Sequence, residues 1–517
     1  MMKKDILIGI DIGSTNIKSV LFDSDLRIIA NESEEIEILF PQPGWTEYNP
    51  SDWWRFVKST LSRCLKNNQI DPARVIGIGV SSLGCCTVPL NEQGDHIYNA
   101  IPWHDHRAND EVQFIEENCR DLLFEACGNI PTVLSATPHL MWLKKHEPDV
   151  YQNIYKYTEA SGFIVQKLTG EFVLDYSIAS ALDYGFDIHK LDYSLELIGA
   201  MGLDVEKYAR LHENRKPVGG VTKQAADETG LGEGTPVYLC GLDVVSATLA
   251  GGVIAPGQGF YSMGSASNMM IGAEKSHQSP YLTSVMHMVD PDIKLLFGSQ
   301  ASIGFSLKWF QEQFGTAEKE AAKLLDGNID AFELMTIAAL KTKPGAGGLL
   351  YFPYLFGKFH PVFKPNAVGT FFGITSTTSK AEFIRAIMEG CVYNMYETIK
   401  SAESIGINLD EIITSGGPSK SPLWCQIIAD VTNKKVVTIE TSEASPLGNA
   451  MLVGVEEGVF TSYEEVVSRF IKREKEYLPN QKTHDLYKEL FALYNQVYND
   501  LQPSFDSLAD IKARLLG

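Results

Sequence analysis

The sequence predicts an α/β protein of two related domains, and three observations point to it. At 517 residues the chain exceeds what one hydrophobic core usually serves, so two domains are the default. A strand–turn–strand segment over 6–22, turning on Gly13-Ser14-Thr15, is echoed half a chain later over 259–272, turning on Gly264-Ser265-Ala266. Short apolar runs of strand length also alternate with helical periodicities through both halves, as layered α/β folds require.

Taken in order, residues 6–10 and 17–22 are apolar runs on either side of the first turn. With the turn at Asp23-Ser24-Asp25 they make residues 1–40 a three-stranded meander. Pro41-Gln42-Pro43-Gly44-Trp45 is a loop. Asn49-Pro50-Ser51-Asp52 then opens a helix over 53–66, with Ser51 or Asp52 accepting from its free amides. Residues 75–80 are a buried strand, 108–170 are mainly helical, 235–240 form a strand and 244–252 a small apolar helix. The second half repeats the order: strands near 258–272 and 293–300, helices over 303–340, and a long helix over 388–404. A strand over 411–414 runs into Ser415-Gly416-Gly417-Pro418, followed by a helix over 422–431 and a strand over 435–439. No low-complexity linker separates the halves, so the boundary near 250 is compact, giving domains 1–252 and 253–517. Residues 460–517 read as a charged helical cap on the second domain.

A net charge of −21 argues against nucleic acid or an anionic membrane as partner, since both would repel the chain. No run approaches 18 apolar residues, and Met1-Met2-Lys3-Lys4-Asp5 leads straight into a strand instead of a signal sequence, so the cytoplasm is the expected location. The eight cysteines show no Cys-x-x-Cys pair and read as reduced, mostly buried thiols. His104-x-His106 has no third ligand at metal-site spacing.

The chemistry gathers at three glycine-bearing turns. Successive N–H groups with nearby hydroxyls form a concave anion nest, so Gly13, Ser14 and Thr15 suit phosphate oxygens, as do Gly264 and Ser265. Lys18 adds a point charge or is simply a solvated strand lysine. Asp11 ends the first strand, where a carboxylate can hold Mg²⁺. Asp243 follows Gly241-Leu242 between a strand and a helix, and is either a helix cap or a general base. Gly416-Gly417, with Ser421 and Gln426 beyond, lets a flat ring lie against the backbone or merely turns the chain. There is no Walker A sequence and no Gly-x-Gly-x-x-Gly.

These residues together resemble the FGGY family of carbohydrate kinases over essentially the whole chain. The matching segments are Gly9-Ile10-Asp11-Ile12-Gly13-Ser14-Thr15, Trp103-x-Asp105-x-Arg107, Gly241-Leu242-Asp243 and Gly264-Ser265. Pro353-Tyr354-x-x-Gly357 and Gly416-Gly417-x-x-x-Ser421-x-x-Trp424-x-Gln426 extend the match. Trp45-Thr46-Glu47 and Leu191-Asp192-Tyr193-Ser194 are similar to the xylulokinase and gluconokinase branch. The resemblance implies the two-domain actin/hexokinase-type ATPase fold, built of duplicated ribonuclease H-like domains. Each domain would carry a mixed five-stranded sheet, with a cleft between them. It implies ATP-dependent phosphorylation of a small sugar or polyol, a ketose such as xylulose or a related pentulose. Asp243 would be the base. Asp11 and Asp243 would stand at the Mg²⁺, the two nests at the phosphates, and Gly416, Gly417, Ser421 and Gln426 at the nucleotide. The first domain would hold sugar, phosphate and metal, and the second the nucleotide. A homodimer is one assembly open to it.

The acceptor site departs from the family's pattern. Ser82-Leu83-Gly84 stands where xylulokinases carry Met-His-Gly, Val244 follows the aspartate in place of Asn, and Lys358-Phe359 replaces Glu-Arg. Ser82, Leu83, Gly84, Trp103, Asp105 and Asp243 are the acceptor-binding candidates. Alternatives are a kinase for gluconate, a rare ketose or an autoinducer-like dihydroxy-ketone. A catalytically silent relative would be expected to lose Asp11, Asp243 or one of the nests, and none is lost.

Overall fold

The computed structural model describes residues 4–132, 134–325, 329–440 and 443–516; the first three residues of the chain and positions 326–328 of the helical stretch 303–340 lie outside them. The first sheet is assembled from β1 (Ile6–Ile12), β2 (Asn16–Asp23), β3 (Ile28–Glu35), β4 (Val75–Ser82), β5 (Gly219–Gly220) and β6 (Pro236–Leu242), in the order β5-β6-β4-β1-β2-β3. β1 pairs antiparallel with β2 and parallel with β4, and β6 runs parallel to β4. The sheet thus has one strand more than the five expected. The addition is the two-residue edge β5, too short and too glycine-rich to leave a hydrophobic pattern. β4 is buried at every position, and β1 at every position but Asp11, because this central pair is covered on both faces.

Helix α1 (Pro50–Asn67) covers one face, burying Trp53, Val57 and Leu61. Its cap is Asn49, whose side chain accepts from the Ser51 amide at 3.1 Å, in place of Ser51 or Asp52. Pro50 explains the earlier start: its φ is already helical and it has no N–H to satisfy.

The second sheet contains β7 (Gly259–Met263), β8 (Ser267–Glu274), β9 (Ile293–Gln300), β10 (Glu411–Gly416), β11 (Lys435–Ile439) and β12 (Arg473–Tyr477), in the order β9-β8-β7-β10-β11-β12, with a seventh strand, Thr283–Met286, at the β9 edge, two strands more than the five expected. Here too the hairpin strands β7 and β8 are antiparallel, while β10 joins β7 in parallel and β11 joins β10 in parallel. The strand order of the first sheet is therefore repeated, as expected for a duplicated domain. The long helix begins at Lys380 and ends at Glu403, eight residues earlier than the apolar pattern, because Ser379 and Glu382 form a reciprocal capping box.

The chain divides into two compact units. The first comprises Met1–Ala255, Gly272–Leu295 and Ser442–Ile471; the second comprises Pro256–Ile271, Leu296–Thr441 and Lys472–Gly517. The stretch 460–517 is accordingly shared: residues up to Ile471 belong to the first unit, where Phe460 packs on Phe470 and against Gly454. All eight cysteines are buried and unpaired. Among the described residues, no helix is long and apolar enough to cross a membrane.

Candidate active site

Asp11 interrupts the apolar run of β1 at its end. Ser81 of β4 and Ser445 of α6 (Ala444–Glu456) both donate to its Oδ1, each at 3.0 Å, and the two hydroxyls lie 2.7 Å apart. Asn449, one turn further along α6, donates to the Ile10 carbonyl and to Ser81 Oγ, both at 2.9 Å. Burial raises the Asp11 pKa, while the two seryl hydroxyls and the charge of Lys18 oppose the rise.

Asp243 is the first residue of α3 (Asp243–Ala250; α2, Tyr176–Leu182, precedes it in the chain). The cap position itself is Leu242, which supplies no side-chain hydrogen bond. The carboxylate is therefore not at the cap position. Its Oδ1 accepts from the Val244 amide at 2.6 Å. Burial, then the neighbouring charge of Asp11, pushes its pKa up to about 7. α3 packs on α6 through Gly448, where a Cβ would stand 1.9 Å from the Ser246 carbonyl oxygen. One helix thus steadies both carboxylates.

The first turn closes by a Gly13 N–H bond to the Asn16 carbonyl at 3.0 Å, and Tyr48 donates to the Ser14 carbonyl at 2.9 Å. Gly13 and Ser14 are half-buried and Thr15 is exposed. Lys18 does not stand free: its ammonium pairs with Glu443 at 2.7 Å. After β4, Leu83 is tied to β1 by its amide on the Ile12 carbonyl at 2.8 Å, and Gly84 takes φ +64° against Leu242. Ser82 Oγ is buried with no hydrogen-bond partner among the described residues. Trp103 is half-buried beside His104.

Asp105 is buried and its oxygens are taken. It accepts from the Thr46 amide at 2.5 Å and from Arg107 Nε and Nη2, each at 2.9 Å. Arg107 in turn reaches Glu47 at 2.9 Å and lies over the Trp45 ring at 3.9 Å. The Trp45-Thr46-Glu47 and Trp103-x-Asp105-x-Arg107 segments are therefore two sides of one cage.

In the second unit, the turn after β7 meets helix α4 (Ile303–Phe314; α5, Pro422–Thr432, follows β10). Gly304 and Phe305 amides donate to the Gly264 and Ser265 carbonyls, both at 3.1 Å. Gly416, at φ +107°, lies so close to Met263 that a Cβ would stand 1.9 Å from its carbonyl oxygen, whereas a Cβ on Gly417 would meet nothing. Beside them opens a cavity of about 650 Å³ whose lining includes Gly264, Ser265, Lys308, Gly417, Ser421 and Trp424. The Ser421 hydroxyl caps α5 by accepting from the Trp424 amide at 3.3 Å. Gln426 does not line this cavity; its amide donates to Asp430 at 2.8 Å and to the Leu478 carbonyl at 2.9 Å.

The residues that sequence reading missed are Ser81, Ser445 and Asn449 around Asp11, and Lys308, Asp330 and Thr336 in the cavity wall. The available signal for α6 was its run of small residues, Gly448, Ala450 and Gly454, which permits close helix packing.

Similarity to known proteins covers nearly the whole chain. The model for the N-terminal domain of the FGGY family of carbohydrate kinases matches residues 6–250, and that for the C-terminal domain matches 259–457. A xylulose kinase of Staphylococcus epidermidis is 28% identical over 501 residues, covering 96% of this chain and 97% of the relative. A gluconokinase of Bacillus licheniformis is 25% identical over 511 residues, 98% of each. The crystal structure of xylulose kinase from Rhodospirillum rubrum superposes with a TM-score of 0.89 at 25% identity, covering 97% of this chain and all of that one.

Proposed function

Because the chain belongs to the FGGY family of carbohydrate kinases, we propose that it transfers the γ-phosphoryl group of ATP to a hydroxyl of a small sugar or polyol, a ketose of the xylulose type. The observation that carries this reading is Asp243. It is a half-buried carboxylate with its pKa raised to about 7, set at the first turn of a helix whose cap position is Leu242. With Oδ1 on the Val244 amide, Oδ2 is left to take the proton of the acceptor hydroxyl as that oxygen bonds to phosphorus and the bond to the ADP oxygen breaks.

The residues present fit a magnesium ion. The charge of Asp11 raises the proton affinity of Asp243, and Lys18, the ammonium acting on Asp11, is already paired with Glu443. An all-oxygen set of one or two carboxylates is what this ion takes, its other positions going to water and phosphate. When bound, it would neutralise charge on the transferring phosphoryl group. Ser81 and Ser445 fix the Asp11 carboxylate for that purpose. Ser14, Thr15 and Ser265 are assigned to the phosphates, with Gly13 and Gly264, whose N–H groups close their turns on the Asn16 and Ala266 carbonyls, shaping the two nests. Gly417 and Ser421, which line the cavity of the second unit, are assigned to the adenosine, while Gly416 is outside that lining and would serve the turn by its close packing on Met263. Gln426 would act on Asp430 and not on the nucleotide. The first domain then carries acceptor and base, the second the nucleotide, and the cytoplasm supplies both substrates.

For the acceptor, the buried Ser82 hydroxyl lacks a partner among the described residues and suits a sugar hydroxyl, while Leu83 and Val244 offer apolar wall in place of polar groups. Trp103 suits the apolar face of a sugar, with Asp105 acting through Arg107 and Thr46. An apolar wall discriminates weakly, so several acceptors should be used. A coupled ADP assay over ketoses, polyols and aldonates tests the proposal. Turnover with at least one ketose is expected. No turnover with any acceptor would overturn the proposal, and exclusive use of D-xylulose would overturn the reading of the wall.

A further inference from the structure

β6 does not reach Asp243 as a regular strand. Its pairing with β4 steps from Leu239 opposite Val80 to Gly241 opposite Ser81, so Cys240 is an inserted residue. Such a bulge bends a strand and re-aims the residues beyond it. Gly241 takes φ +73°, a conformation that disfavours any residue with a side chain. Two residues later the chain delivers Asp243.

The bulge is clasped from both sides by a buried polar cluster that the mechanism above does not use. Asn214 donates to the Leu239 carbonyl, before the bulge, at 2.9 Å. The Leu242 amide, after it, points at Ser177 Oγ at 3.4 Å. Both clasps hang on one oxygen. Asp175 Oδ1 accepts from Ser177 Oγ at 2.5 Å, from Asn214 at 3.0 Å, and from the Ser177 and Ile178 amides that open α2. Asp175 and Ser177 have no exposed surface and Asn214 almost none. The fit is tight: a Cβ on Gly241 would stand 1.9 Å from Ser177 Oγ and 2.4 Å from Asp175 Oδ1.

We propose that Asp175, Ser177 and Asn214 are positioning residues for the transfer reaction, a template that fixes the Cys240–Gly241 bulge and so the direction of the Asp243 carboxylate. The proposal rests on the reading of Asp243 as base. A simple cap on α2 needs only the Asp175 carboxylate and the amides of α2; it needs neither the Asn214 bond to Leu239 nor the Ser177 contact with Leu242. Those two bonds tie the cluster to the strand that carries the base.

The test uses the full-length enzyme with ATP and its best acceptor. Ser177→Ala and Asn214→Ala, one for each side of the bulge, should each lower kcat about tenfold or more with KM for ATP within about twofold. Ser177→Thr, which keeps the hydroxyl, should restore most of kcat. In an Asp243→Asn background neither change should lower single-turnover rate more than about twofold, because groups acting through one another are not additive. Unchanged kcat in both folded single variants would overturn the proposal, as would a full further loss in the Asp243→Asn background. Near-wild-type turnover of Asp243→Asn alone would overturn the base assignment and this proposal with it. Loss in Asp243→Asn with none in Ser177→Ala or Asn214→Ala would overturn only the template.

Discussion

Gly9 lies against Pro446 so closely that a Cβ on it would stand 2.2 Å from the Pro446 carbonyl oxygen. The contact is backbone to backbone, so nothing flexible can yield. It is what lets α6 lie on β1 and bring Ser445 within 3.0 Å of Asp11, a partner 434 positions away in the chain.

Gly9→Ala should therefore act on stability and activity together. Overpacking of this kind costs about 1–3 kcal/mol, and relief would require α6 to shift and carry Ser445 off the carboxylate. Urea unfolding and steady-state kinetics check this. A variant with normal activity would show that α6 can move without disturbing the site.

Asp11→Ala should abolish magnesium-dependent turnover while the protein stays folded, since the side chain ends a strand and bonds only to hydroxyls that can find other partners. Near-native circular dichroism and a cooperative melt are expected. If the variant only unfolds, Asp11 is structural.

Legibility in the sequence tracks chain locality. Asp11, Gly13 and Ser14, and likewise Gly264, Gly416 and Asp243, sit within a few residues of a strand end, so period and turn chemistry sufficed to place them there. Ser445 and Asn449 were illegible because their partners lie across the fold, and no local pattern marks which face of α6 meets β1. Gln426 shows the same limit in reverse. Being on the right helix does not say that a side chain points to the cavity, and its amide is directed to Asp430 and Leu478. The bulge at Cys240–Gly241 was hidden because a glycine in a strand pattern does not disclose its φ.

Acid sensitivity of the second sheet should centre on Glu411. On β10 it receives Arg473 through two bonds, at 2.9 and 2.7 Å, and Lys435 at 2.7 Å, joining three adjacent strands. Arg473 first, and Lys435 after it, lower its pKa from 4.5 to about 2 against some desolvation. A depressed carboxylate stabilises the fold above its unfolded pKa, and that contribution is lost as pH falls from about 4.5 through about 2. The carboxylate is partly exposed, so Glu411→Gln should cost only about 0.5–1 kcal/mol at pH 7. Urea titrations should show the gap between wild type and variant closing as pH falls from about 5 through about 2. A gap independent of pH would remove the ion pairs from the account.

The cage around Arg107 gives the sharpest separation between holding the acceptor site and touching the acceptor. The Arg107 side chain has no exposed surface, and its charge is balanced by Asp105 and Glu47 between the rings of Trp45 and Trp142. Removing one partner strands a buried charge, at a cost of about 3–5 kcal/mol. Asp105→Ala should therefore lower the melting temperature strongly, and Arg107→Ala should do the same. Asp105→Asn keeps an acceptor for the Thr46 amide but loses the charge, and should fall between them and wild type. A residue that held the acceptor directly would behave otherwise, raising KM for the sugar with the melting temperature unchanged. Thermal melts beside acceptor KM values for the three variants decide it. An intact melt with a raised KM in Asp105→Ala would return Asp105 to the acceptor-binding set.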